Sequence, residues 1–182
     1  GILKGIYKFR ASGNRRAKHK VHLFGSGTVL NEAVKAQERL ADAYGVAADV
    51  WSITSYKNLY WDAIDAQRWN MLNPEREPRL PYLARALEGE QGVFVAASDY
   101  LKALPAMLAS WIPGPLTLLG TDGFGRSDTR PALRGFFEVD DRHIAFAALS
   151  ALAREKKLSL TEVKKARKDL DIDPRRANPL FS

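Results

Sequence analysis

The most unusual segment is Gly120-Thr121-Asp122-Gly123-Phe124-Gly125-Arg126-Ser127-Asp128. Its glycines permit positive φ and close backbone approach. Phe124, set between two of them, is expected as a ring anchored inside a sharp turn. The Arg126 guanidinium can fork onto a carboxylate or a phosphate. It can equally pair with Asp122 or Asp128 and stiffen the loop. One glycine-rich loop is not a catalytic site. Asp122, Gly123, Phe124, Gly125, Arg126 and Ser127 are therefore read as a loop facing a neighbouring domain. A shorter turn, Gly25-Ser26-Gly27, could cradle a phosphate against a helix start. It lacks the third glycine of the dinucleotide fingerprint, and Ile53-Thr54-Ser55 supplies no ribose-binding acid at the end of the following strand. Ser26, Ser55, Ser98 and Asp99 are residue types that cap helices, and capping is their simpler role.

Other chemistries have less support. The chain has no cysteine, which excludes disulfides, thiol catalysis and cysteine-ligated metals and suits a cytoplasmic address. His19, His22 and His143 lack metal-ligand spacing. No G-x-S-x-G elbow is present. The acid pairs Asp140-Asp141 and Asp171-Asp173 stand at helix ends, where capping or solvation explains them. Tyr56, Tyr60, Trp61 and Trp69 pack in a core or line a partner interface. No catalytic, cofactor-binding or metal-binding residue is assigned.

Charge narrows the partners. Among 182 residues the net charge is +7, and residues 1–20 hold seven basic side chains (Lys4, Lys8, Arg10, Arg15, Arg16, Lys18, Lys20) and no acid. Residues 25–153 carry 12 basic and 16 acidic side chains, and 154–182 carry 9 and 5. The basicity thus belongs to the two ends, against the broad basic face a nucleic-acid binder needs. The arm could bind an acidic partner, but a solvated hairpin is the simpler reading. No apolar run approaches the ~20 residues of a membrane span, and no signal-peptide pattern stands at the start. Opening on Gly1 with a β-like segment, the chain reads as a piece of a longer one.

Short apolar strands alternate with helices. Strands are expected at 1–9, 20–24, 48–54, 92–97 and 115–119, the first two pairing as an antiparallel hairpin. Helices are expected at about 29–44 with Gly45 as stop, 58–72, 99–111 interrupted at Pro105, 131–137, 141–156, and from the capping box Ser159/Glu162 to Leu170. Ile144, Ala145, Ala148, Leu149 and Leu152 form one face of the fifth of these. The pattern predicts an α/β fold: a three-layer α/β/α sandwich with a mostly parallel sheet of about five strands. Residues 1–24 are expected as a strand or hairpin arm packed on a domain of 25–182. Ligands in such a sheet bind beyond the carboxyl ends of its strands.

Five segments, GSGTVLNEA (25–33), VWSITSY (50–56), QRWNMLNP (67–74), PRLPYL (78–83) and LLGTDGFGRSD (118–128), together resemble the C-terminal domain of homodimeric, bacterial-type pyruvate dehydrogenases. The likeness runs over nearly the whole chain; a transketolase C-terminal domain is the nearest alternative. It implies a transketolase C-terminal-like fold. The parent it implies is an oxidoreductase that decarboxylates pyruvate and passes the acetyl group to the lipoyl arm of the dihydrolipoyl acetyltransferase component. That parent is a homodimer using thiamine diphosphate and magnesium, bound by domains that this chain does not include. Thr121-Asp122-Gly123 only echoes the family's metal motif: it lacks the first glycine, and the next asparagine, Asn178, lies 55 residues beyond Gly123. The resemblance therefore implies an inactive piece with a scaffold and dimer-interface role. The basic 10–20 segment departs from the family pattern. A stand-alone small-ligand or regulatory module is the alternative from another class.

Overall fold

A computed structural model describes residues 1–14 and 16–182; Arg15 of the basic arm lies outside the described residues. Among the described residues five strands, β1 (Ile6–Arg10), β2 (Lys20–Ser26), β3 (Ala47–Ile53), β4 (Val93–Ala97) and β5 (Leu116–Leu119), form one sheet in the order β1-β3-β2-β4-β5. β3, β2, β4 and β5 run parallel, and β1 is antiparallel to β3. The hairpin expected between the first two strands does not form. β1 pairs with β3, with Ile6 opposite Ile53, while β2 fills the centre of the sheet. The reason is burial. Val21 and Leu23 face one side of β2, His22 and Phe24 the other, and all four are buried. An edge hairpin could not cover both faces, whereas a central strand does. β2 also runs unbroken through residues 24 and 25.

Among the described residues there are seven helices, α1 (Leu30–Tyr44), α2 (Tyr56–Leu72), α3 (Tyr82–Ala86), α4 (Ala103–Ala106), α5 (Arg130–Phe136), α6 (Asp141–Arg154) and α7 (Leu160–Asp169). On one face Val21, Leu23, Val50, Val93 and Val95 pack against α1 and α6. The alanines Ala33, Ala36, Ala145 and Ala148 join that cluster and let the two helices approach closely. The apolar face expected for α6 is buried there. On the other face Phe24, Trp51, Ile53 and Phe94 pack against Tyr56 and Leu59 of α2 and Leu83 of α3.

Local signals explain most boundaries. Gly45 ends α1 at φ 61, a conformation that favours glycine. Ser159 and Glu162 form both bonds of the capping box. The stretch 99–111 holds only the single turn α4 and a 3-10 turn at Ala109–Trp111, because Pro105 sits inside α4 and its missing N–H limits propagation. α3 has no counterpart among the expected elements; five residues are too few for a period to show. No helix among the described residues is long and apolar enough to cross a membrane.

Candidate functional site at the carboxyl ends of the strands

The α1 connection leads from β2 to β3 on one side, and the α2–α3 connection returns past β2 to β4 on the other. The strand order therefore reverses between β2 and β4, where an open α/β sheet forms its crevice. Ser26-Gly27 and Ser98-Asp99 stand at that point. Gly27 has φ +51, and an added Cβ would lie 3.7 Å from both Asp99 carboxylate oxygens. Gly25 is held more tightly: a Cβ there would come within 2.6 Å of the Leu30 Cα, so α1 can start close to the sheet only above a glycine.

A cleft of about 570 Å³ opens beside these residues, lined by Ser26, Gly27, Ser52, Thr54, Tyr56 and Tyr100 among others. Ser55 does act as a cap, accepting from the Asn58 N–H at 3.1 Å. Ser98 Oγ accepts from the Tyr100 N–H at 3.2 Å and shapes the turn after β4. Ser26 departs from the capping expectation. Its hydroxyl makes no cap bond, and its Oγ and the Tyr56 hydroxyl are buried with no hydrogen-bond partner among the described residues. Burial pushes the Tyr56 hydroxyl far above its ordinary range; the nearby Ser26 hydroxyl only partly offsets this, and the Asp99 charge adds to it.

The glycine-rich loop borders a second hollow of about 290 Å³, shared with Thr28, Asp99, Leu133 and Arg134. Asp122 accepts from the Lys102 N–H at 3.2 Å and pairs with its ammonium at 3.4 Å. Of the loop's glycines only Gly123 has positive φ, 98°, and a Cβ on it would meet the Pro179 oxygen at 2.7 Å. The tail is thereby seated on the loop. Phe124 is not anchored inside a turn: it is 84% exposed. Gly125 has open space around its Cα, which leaves the neighbouring ring without a wall. Among the described residues Arg126 pairs with neither Asp122 nor Asp128; its guanidinium lies 4.1 Å from the centre of the Phe136 ring. Asp128 accepts from the Thr129 N–H at 2.6 Å, and Ser127 is exposed.

The remaining candidates disperse. Tyr56 enters the core, Tyr60 lies edge-on to Trp111, Trp61 is exposed beneath Lys57, and Trp69 stacks under Arg79. Asp140 caps α6 through the His143 N–H at 3.0 Å and also meets His143 Nδ1 at 2.6 Å. Asp141 accepts from Arg39 Nε at 2.8 Å. Asp171 pairs with Arg142 at 3.5 Å, and Asp173 accepts from the Arg175 N–H at 2.9 Å.

A charge network unforeseen from the sequence occupies the opposite, amino end of the strands. Asp49 of β3 receives the Lys8 and Lys20 ammonium groups, each at 2.9 Å, and the Ser12 N–H at 2.8 Å. Glu90 receives Lys20 at 2.8 Å and also Lys8. Burial alone would raise the Asp49 carboxyl, but Lys8, Ser12 and Lys20 reverse this and hold it at about 2. His22, Asp49 and Glu90 bring their donor atoms within 4.8 Å of one another. They nonetheless do not suit a cation. Two ammonium groups already neutralise the carboxylates, and both His22 nitrogens are used. Nε2–H donates to the Gln91 carbonyl at 3.1 Å, and Nδ1 accepts from the Trp51 indole at 3.3 Å. The signal was Asp49 itself, a lone carboxylate inside the apolar strand AADVWSI. Three cations of the basic arm are spent internally, since Arg10 also pairs with Glu38 at 2.9 Å.

The network gives a pH dependence. Burial lowers the His22 pKa below its ordinary 6.5, so the unfolded chain binds more protons than the folded one below that value. Stability from this group is complete above 6.5 and lost as pH falls through the folded value. The urea midpoint is expected to fall between about pH 7.5 and 5, and His22→Asn to flatten that slope. A midpoint flat across this range would contradict the neutral, donor-and-acceptor role of His22.

Comparison with known proteins places this geometry. The family model for the transketolase-like TK C-terminal domain matches residues 5–140. The chain is 41% identical over 181 residues to the pyruvate dehydrogenase E1 component of Pseudomonas aeruginosa, covering 99% of this chain and 20% of that protein. It is 42% identical over 180 residues to the protein of that name from Escherichia coli K12, covering 98% and 20%. The chain thus spans about a fifth of the length of these curated relatives. Among solved structures, a split-gene transketolase described as an inactive beta4 tetramer aligns with TM-score 0.56 at 19% identity, covering 81% of this chain and 42% of that one. A transketolase from Leishmania mexicana aligns at 0.54 and 17%, covering 85% and 19%. With one sheet order, one switch point and a family match that runs from β1 through α5, the chain belongs to the transketolase-like C-terminal domain family.

Proposed function

We propose that this chain is the C-terminal domain of a homodimeric pyruvate dehydrogenase, the decarboxylating E1 component of a cytoplasmic complex that consumes glycolytic pyruvate. The observation that supports this most is identity of 41% sustained over 99% of the chain to a relative of that name. The parent decarboxylates pyruvate and transfers the acetyl group to the lipoyl group of the dihydrolipoyl acetyltransferase component. Thiamine diphosphate and magnesium belong to its other domains. The residues of this chain do not fit them. The His22–Asp49–Glu90 cluster is already filled by Lys8 and Lys20, and the 570 Å³ cleft has a single cation, Lys57, and no carboxylate among its lining residues to hold magnesium. The domain's own work is scaffold and dimer interface, and its loop Asp122–Ser127 faces the catalytic domains.

In the longer polypeptide, pyruvate-dependent reductive acetylation of a lipoyl domain tests the function; its absence rejects the reading. Arg126→Ala tests the loop. Its loss removes one cation from the Phe136 ring and unties the loop from it, while Arg176 stays 5.6 Å from that ring, and turnover or dimer stability is expected to fall about threefold, a loss of ~0.6 kcal/mol, within the range of one cation–π contact. Unchanged dimerisation, stability and turnover remove the loop from the mechanism. A second reading, a small-ligand or regulatory module, is favoured by the cleft of about 570 Å³ beside the Gly25-Ser26-Gly27 turn. Nucleotides and phosphates titrated against tryptophan fluorescence separate the two readings; saturable micromolar binding favours the module.

A further inference from the structure

We propose that the amino end of the sheet carries a docking surface for an acidic segment of another protein, built from the two basic ends of the chain. This surface is separate from the parent reading above and stands or falls without it.

The two ends lie far apart in the sequence and meet in the fold. His19, the last residue before β2, accepts the Ala47 N–H at 3.0 Å through its carbonyl. Val46 shares a core cluster with Leu158, from the turn between α6 and α7. Tyr44, Leu158, Glu162 and Lys165 line one hollow of about 240 Å³ at this end. The arm is thus laid beside the α6–α7 turn. The His19 ring registers both: burial first, then the Lys18 and Lys157 charges, hold its pKa below the ordinary 6.5, against a smaller contrary effect of Glu162.

Arg16, Lys18, Lys156, Lys157, Lys164, Lys165 and Lys168 are all exposed. Among the described residues none of them forms an ion pair, whereas Lys8, Arg10 and Lys20 do. Leu160, Lys164 and Lys168 stand four residues apart on one side of α7, and Leu160 is 72% exposed. Like charges at that spacing destabilise a helix. The fold draws nothing from them in return, because Ala166 and Leu170 hold α7 to the core from its other side. Carboxylates on a partner would neutralise this row, and an apolar side chain beside them would cover Leu160. A nucleic-acid strand fits less well. It presents a phosphate at every step and would meet Glu155, Glu162 and Asp169 among the lysines, whereas a protein segment can set its carboxylates between those acids. Tyr44 is half-buried and offers bases no open ring.

The test is fluorescence anisotropy of labelled probes titrated with the chain: a short peptide of Glu and Leu residues, the same peptide with Gln for Glu, an all-Glu peptide, and an oligouridylate of equal charge. At low salt the Glu–Leu peptide is expected to bind at least about tenfold more tightly than its Gln counterpart, and the gap to close as salt rises. The double variant Lys157→Glu, Lys164→Glu and the single arm variant Lys18→Glu should each weaken that binding about threefold or more, because both ends contribute, while Arg68→Glu on α2 should leave it unchanged. Leu160→Gln should weaken the Glu–Leu peptide and leave the all-Glu peptide unaffected. Equal binding of the Glu and Gln peptides, or no effect of Lys18→Glu, would overturn the surface. Tighter binding of the oligouridylate, lost in the same variants, would give the surface to nucleic acid and also overturn the proposal. Indifference of the Glu–Leu peptide to Leu160→Gln would mark an unselective charge patch and do the same.

Discussion

Replacing Asp49 by alanine is expected to lower the unfolding free energy at pH 7 by about 2 to 3 kcal/mol, below the ~3 to 5 of a fully buried ion pair because Lys8 and Lys20 are 32% and 42% exposed. Its side chain is only 4% exposed, and it accepts from two ammonium groups and one backbone N–H. The carboxyl is held at about 2 against an ordinary 3.8, which corresponds to about 2 kcal/mol of stability at neutral pH. Alanine also leaves Lys8 and Lys20 facing each other across Glu90 alone. The lysines keep contact with water, so salt should soften the effect modestly. Asn at this position retains an acceptor for the Ser12 N–H and should cost less than alanine. The sign with pH is fixed: the Asp49 contribution is complete above about 4 and lost as pH falls towards 2. Urea unfolding of the wild type and both variants at pH 7 is the measurement. A loss below about 1 kcal/mol would mean that solvent screens the network as it does a surface pair.

Phe94→Ala is expected to cost about 3 to 5 kcal/mol. The ring sits on β4, next to the central strand β2, and is completely buried. It stacks on His22 with centroids 4.6 Å apart and meets Phe24 edge-on at 5.6 Å. Gly114 forms one wall of its slot, since a Cβ there would lie 3.0 Å from the ring. The sheet backbone cannot collapse into the space left behind, so the cavity term persists. Because Phe94 also clamps the imidazole that joins the Asp49 network to Trp51, the double variant with Asp49→Ala should depart from additivity by at least about 0.5 kcal/mol. Phe94→Leu should recover more than half of the loss. Denaturant unfolding of the three variants checks this, and additive losses would separate the aromatic core from the ion network.

The strands, the α1 and α6 faces, the stop of α1 and the start of α7 were legible because each has a local cause: a two-residue or 3.6-residue period, Gly45, or the Ser159/Glu162 box. The partner of β1 was not, because pairing depends on which strand needs cover on both faces. That is settled only when β2 meets α1, α6 and α2 together. Phe124 misled for a related reason. Flanking glycines signal a turn, but whether a ring inside one is walled in depends on residues far away in the chain. Here nothing stands near Gly125. The basic arm likewise read as solvated charge, since Asp49 and Glu90 lie some 40 and 80 positions from Lys8. Ser26 had the sequence of a helix cap, yet the chain enters α1 through a 3-10 turn at Gly27–Val29, and the serine hydroxyl finds no N–H to accept from.

Pyruvate decarboxylation, followed as carbon dioxide release with thiamine diphosphate and magnesium present, tests the central claim most directly when the 182-residue chain and the longer polypeptide are run side by side. Turnover is expected from the longer polypeptide, and none above background from the chain alone. Turnover by the chain alone would contradict the claim, because no residue set described here fits the diphosphate and its metal.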